Sequence, residues 1–111
     1  MARHVAERFW GKYSMDGMAA RKIFDGFLVD MEKTVGLPLA VMEDMVEQIP
    51  GGWVFRYQGR EWVKSRDMSD LSDFLVGHGP VVVLDNGVVL QGGSLDRDPN
   101  EIVRRYFANL E

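Results

Sequence analysis

Cysteine is absent from the 111 residues. That removes disulfide scaffolds, thiolate metal sites and cysteine nucleophiles together. No apolar run approaches the ~20 residues that a membrane-spanning helix requires. Histidine occurs only twice, so groups that titrate near neutrality are scarce. An excess of cations is also missing: 13 Lys and Arg face 17 Asp and Glu, for a net charge of -4. Nucleic-acid binders are usually basic, so that class is disfavoured. The first residues carry Arg3 and Arg8, but the roughly 7–15-residue apolar core of a signal peptide does not follow. The expectation is therefore a cytoplasmic chain, with no nucleic-acid and no membrane partner.

What is present is the balance of a folded domain. Hydrophobic residues make up 46% and charged residues 27%, enough apolar surface to offset the entropy of ordering. The length suits one domain of roughly 100–150 residues. Charge is distributed in alternating blocks. Residues 1–22 hold five basic and two acidic residues, and residues 23–55 one basic and six acidic. Residues 56–66 hold four basic and one acidic, residues 67–96 five acidic and no basic, and residues 97–111 balance. Such blocks serve either as plain solvated surface or as a signed surface that steers a partner.

Periodicity predicts an arm or short helix over residues 1–14, with Val5, Phe9 and Trp10 near one face. A main helix follows over 15–35. Ser14 or Asp16 is its N-cap, Phe24 and Leu28 form an i,i+4 pair, and Gly36 with Pro38 ends it. Residues 38–49 are ambiguous: Leu39, Met42, Val46 and Ile49 fit a helical face slightly better than a strand. Pro50-Gly51-Gly52 is a turn. Trp53 to Tyr57 reads as a strand, with Trp53, Phe55 and Tyr57 on one face and Val54 and Arg56 on the other. Glu61–Ser65 reads as the returning strand. Residues 67–76 form a loop or a single helical turn, and Gly77-His78-Gly79-Pro80 a tight connector. Val81–Leu84 is a continuous apolar run, the mark of a central strand covered on both sides. Asp85-Asn86-Gly87 predicts a type I′ hairpin turn into Val88–Leu90. Asp98 caps a last helix that opens on Pro99. The fold class is α+β: an N-terminal helix, an antiparallel sheet of about four short strands and a C-terminal helix, over residues 15–111. One or two helices are expected on one face of the sheet. The expected core is Trp53, Phe55, Val81, Val83, Val89, Ile102 and Tyr106.

The chemistry-bearing residues form no recognised constellation. None of the serines sits in a Gly-x-Ser-x-Gly elbow. His4 lies in the arm, and His78 lies between two glycines. Asp67, Asp70 and Asp73 are spaced three apart but lack the glycine and terminal glutamate of a calcium loop. Gly51-Gly52 and Gly92-Gly93 lack the lysine of a phosphate loop. The stretch from Arg56 to Lys64 mixes cations with Tyr57 and Trp62, as a single-strand nucleic-acid surface does. An ordinary hairpin with cations outward and rings in the core is the preferred account. The expectation is no cofactor, no metal site and no catalytic residue.

The second half resembles the immunity protein 35 family, small bacterial proteins of polymorphic toxin systems. The resemblance is carried by Gly52-Trp53-Val54-Phe55 with Tyr57, and by Gly77-His78-Gly79-Pro80 followed by Val81-Val82-Val83. Asp85-Asn86-Gly87-Val88, Gly92-Gly93 and the final Arg105-Tyr106-Phe107 also fit. His78 stands where the family has asparagine. The resemblance implies a strand over 39–48, against the slight helical pattern. It also implies a non-enzymatic protein that binds and neutralises a cognate protein toxin. The alternatives are a ligand-binding or enzymatic domain with a cleft near His78, and an adaptor that self-associates, with the N-terminal arm as the homo-oligomer surface. On the toxin reading, the connector over residues 60–75 forms part of the partner surface, with Asp67, Asp70 and Asp73 steering and Trp62 as the anchor; the plain alternative is an acidic loop that stays solvated, with Trp62 in the core.

Overall fold

The computed structural model describes residues 16–110; the arm expected over 1–14 lies outside them. Helix α1 spans Gly17–Val35. The Asp16 carboxylate accepts a hydrogen bond from the Ala19 amide at 2.8 Å and caps it. Gly36, in the left-handed region, closes it through its N–H to the Glu32 carbonyl. Ala20, Phe24 and Leu28 recur at four-residue intervals and form its buried stripe.

The ambiguous segment resolves into two strands around one turn. Strand β1 is Leu39–Val41, a 3-10 turn covers Glu43–Met45, and β2 is Glu47–Ile49. The helical pattern survives only in that turn. The backbone on either side is claimed by two different partners. Strand β3 is Gly52–Phe55 and β4 is Tyr57–Gly59; β1 pairs with β4, and β2 with β3, both antiparallel. Strand β5 is His78–Leu84 and β6 is Val89–Gly93. The sheets are an antiparallel pair β1-β4 and a four-stranded antiparallel sheet ordered β2-β3-β5-β6. The chain closes on the helix Pro99–Ala108, numbered α3 below because a short helix precedes it. The class is α+β, with an N-terminal helix, antiparallel sheets and a C-terminal helix.

Alternation along β3 and β5 sends side chains to two separate cores. Phe55, Val81 and Val83 join Phe24, Leu28, Leu39, Val41 and Tyr57 under α1. Val54, Val82 and Leu84 pack against Ile102 of α3. The two helices therefore cover opposite faces, not one face as expected. The run Val81–Leu84 requires this, because all four side chains are buried and two point each way. Of the expected core, Phe55, Val81, Val83 and Ile102 are buried, whereas Trp53, Val89 and Tyr106 pack at its margin.

Three local expectations are corrected. Glu61–Ser65 is not a returning strand: Arg60–Ser65 is a helix, α2. Its amides are held by Asp73, as described below. His78–Pro80 is not a free connector but the start of β5, with His78 opposite Gly93 and a bulge before Val81. The Asp85–Gly87 hairpin is not type I′. Gly87 has φ 89°, and Asn86 is not among the residues with positive φ. Leu84 instead accepts from the Gly87 amide at 2.8 Å and donates to the Val88 carbonyl at 2.8 Å. The result is a three-residue loop closed by a left-handed glycine.

Candidate interaction surface

The longest stretch without regular structure among the described residues runs from Arg66 to Gly77. It is built on two fastenings. The first is Asp73. Its carboxylate accepts from the Glu61 amide at 2.9 Å and from the Trp62 amide at 3.1 Å. Both are N-terminal amides of α2, which have no partner within the helix. The residue at the cap position is Gly59, which has no side chain to offer. Gly59 also lies so close to Asp73 that a Cβ there would stand 2.1 Å from the Asp73 carbonyl oxygen. The second fastening is Gln58, a buried polar side chain. Its Nε2 donates to the Leu75 carbonyl at 3.0 Å, and its Oε1 accepts from the Leu75 amide at 2.7 Å. The side-chain amide thereby substitutes for a neighbouring strand.

Between Arg66 and Asp73 the chain forms two short turns stabilised from within. Asp67 accepts from the amide and hydroxyl of Ser69 at 2.9 and 2.6 Å. Asp70 does the same for Ser72 at 3.2 and 2.8 Å. The Ser69 hydroxyl, then the Ser69 amide, hold the Asp67 carboxyl below its ordinary range. Met68 and Leu71 stand out from these turns, 64% and 46% exposed. The tip thus presents two carboxylates and two apolar side chains on a base held by residues 73 and 75.

The four candidate partner residues separate into two pairs. Asp67 and Asp70 are exposed at the tip. Asp73 and Trp62 are in the base. Trp62 is 9% exposed, with the Phe74 ring edge-on at 4.8 Å and the Arg66 guanidinium 5.4 Å over its face. Gln58 carried no signal in the sequence. A lone glutamine in an apolar strand reads as an outward residue, and only its position opposite Leu75 reveals its use.

The basic block faces acid. Arg56 meets Glu47 at 3.5 Å, Arg60 meets Glu32 at 3.4 Å, Lys64 meets Glu61 at 3.5 Å and Arg66 meets Asp44 at 2.6 Å. All four cations of residues 56–66 have a carboxylate neighbour, and Tyr57 and Trp62 are buried.

Near His78 there is a cleft of about 150 Å³, lined among others by Met42, Arg56, Tyr57 and Pro80. Its lining residues include no carboxylate. His78 Nε2–H donates to the Tyr57 carbonyl at 2.8 Å, and its ring lies 4.4 Å from that of Tyr57. Burial pushes the Tyr57 phenol up from its ordinary pKa. The imidazole is thus tied to the main chain through Nε2. A larger groove of about 380 Å³ runs beside Met18, Arg21 and Trp53. Arg21 bridges it, donating to Asp25 at 2.9 Å and Glu43 at 2.7 Å.

Among the described residues, no three His, Cys, Asp or Glu side chains gather as a metal site. No helix among them is long and apolar enough to cross a membrane. No family model, curated protein or solved structure matches the chain.

Proposed function

We propose that this chain is a protein-binding module that neutralises a cognate bacterial toxin by contact, as an immunity protein does, without chemistry of its own. The observation that carries the reading is the tip of the 66–77 connector. Its carboxylates at Asp67 and Asp70 engage no cation among the described residues, whereas the preceding basic block is matched charge for charge. Two exposed apolar side chains flank them on a fastened base. A pre-ordered loop loses little entropy on binding, and its negative field favours a partner with a basic face. The resemblance to immunity protein 35 supports the same reading. Of the residues that carry the resemblance, Gly52–Phe55 lie in β3 and His78–Val83 in β5.

The test is co-purification with the product of the neighbouring gene, together with rescue from its toxicity. Association kinetics of Asp67→Lys with Asp70→Lys at two salt concentrations then locate the surface. Steering predicts a slower on-rate, a weaker salt dependence and little change in dissociation. Unchanged on-rates at both salts would remove the tip from the interface.

A further inference from the structure

Helix α1 packs on β1, β3 and β5. A single helix is about 10 Å wide, which is about the spacing of two strands. On the α1 face, the β2 side of the four-stranded sheet therefore extends past the helix. Gln48 of β2, opposite Trp53 on that face, is exposed. The groove of about 380 Å³ occupies this flank, between the start of α1, the Glu43–Met45 turn and β3. Of its apolar side chains, Phe55 is buried, Val46 and Trp53 are half-buried, and Met18 is 84% exposed. Apolar groups gathered in one groove and left partly open mark a contact site.

Gly17 joins the groove to the point where the described chain begins. It lines the groove, and a Cβ there would stand 3.1 Å from the Trp53 ring. Residues 1–15 therefore enter the fold at the groove's own edge. They carry Val5, Phe9, Trp10 and Tyr13, with the cations Arg3, Arg8 and Lys12 and one carboxylate, Glu7. Trp10 precedes the Asp16 cap by six residues, so about 20 Å of extended chain is available to it. The charges lining the groove are also mixed, Arg21 and Lys22 with Asp25 and Glu43. Asp25 and Glu43 both hold Arg21, yet their side chains are 52% and 67% exposed. A carboxylate accepts several donors, so both have room for a cation of the arm.

We propose that this groove is the seat of the chain's own N-terminal segment, with the rings of Phe9 and Trp10 packed against Met18, Val46 and Trp53. A segment tethered at the edge of its site meets it at an effective concentration in the millimolar range. A few apolar contacts then suffice, and neither a second copy nor a foreign peptide competes on equal terms. Docking extends the core under α1 past the edge of the helix. It makes the arm a part of the fold in place of a surface for self-association. This holds whether or not the chain binds a toxin.

Nuclear magnetic resonance on the full chain tests it. In dilute solution, the Phe9 and Trp10 ring protons should show Overhauser contacts to the methyl groups of Met18 and Val46. Phe9→Ala combined with Trp10→Ala should shift the Met18, Val46 and Trp53 amides and leave those of Leu90 and Ile102, in the opposite core, in place. Met18→Lys removes an exposed apolar side chain and adds charge of the arm's own sign. It should weaken the ring contacts several-fold, with the Leu90 and Ile102 amides again unchanged as the control for folding. Absence of ring contacts to the groove in the wild type would overturn the proposal. So would contacts that arise only between labelled and unlabelled chains in a mixed sample, which would make a second copy the occupant. A groove untouched by the arm variant, whose amides shift only when the neighbouring gene's product is added, would assign the site to that partner and equally overturn it.

Discussion

The Phe24 ring lies 4.7 Å from that of Phe55, with 11° between their planes, and both residues are fully buried. This stack joins α1 to the centre of the four-stranded sheet. Removing either ring to alanine should cost about 3–5 kcal/mol, the usual range for a buried phenylalanine. A domain of this size has about 5–15 kcal/mol in total, so an alanine variant falls close to the unfolding limit. Leucine keeps the site apolar and the protein measurable. The informative experiment is a double-mutant cycle of Phe24→Leu and Phe55→Leu, followed by urea unfolding with tryptophan fluorescence and circular dichroism. Offset-stacked rings contribute about 0.5–1.5 kcal/mol beyond the area they bury. The double variant should therefore be more stable than the sum of the singles predicts by that amount. Phe107→Leu, at a ring 48% exposed, should change stability by less than about 0.5 kcal/mol. A coupling below about 0.3 kcal/mol, which is the additivity seen for independent sites, would mean that the two rings merely share a core, and the stacking argument would fail.

Gly59→Ala should destabilise by about 1–3 kcal/mol, as overpacking does, because its Cβ would meet the Asp73 carbonyl; a melting temperature equal to wild type would contradict that approach. Asp98 caps α3 by accepting from the Asn100 amide at 3.0 Å, so Asp98→Ala should cost about 0.5–2 kcal/mol in urea unfolding. The Asp96 carboxyl is held below its usual range, first by the Gly93 amide and then by the Arg105 side chain. Its folded pKa is thus lower than its unfolded one, near 3.9. The stabilisation is present above the unfolded value and is lost as pH falls through the folded one. Asp96→Asn should accordingly matter more at pH 7 than at pH 3, and an equal effect at both would refute the linkage. His78→Ala should leave toxin protection within a few fold, and a protection lost by a stably folded variant would move the functional site to the cleft beside Tyr57.

The parts of the fold that were legible in the sequence are those whose causes lie within three or four residues. Asp16 reaches the Ala19 amide and Asp98 the Asn100 amide, so the signals for the starts of α1 and α3 were complete on the chain. Gly36 and Pro38 marked the end of α1 for the same reason. Alternation along Trp53–Phe55 and the unbroken Val81–Leu84 run identified the central strands. The run also implied cover on both sides, which the assignment of helices to one face overlooked. Residues 39–49 were undecidable locally, because β1 and β2 answer to different partners, β4 and β3, and a period cannot record that.

The candidate surface divides along the same line. Its acidity and its lack of cations are properties of the sequence. That Asp67 and Asp70 face solvent while Asp73 turns inward is not, for the three look alike at a spacing of three. Helix α2 exists because a carboxylate 12 residues after Glu61 returns to its amides, and Trp62 is buried because Phe74 comes back with it. Neither contact leaves a mark in the local pattern of Arg60–Ser65, where the propensities of strand and helix are close and a remote hydrogen bond decides between them.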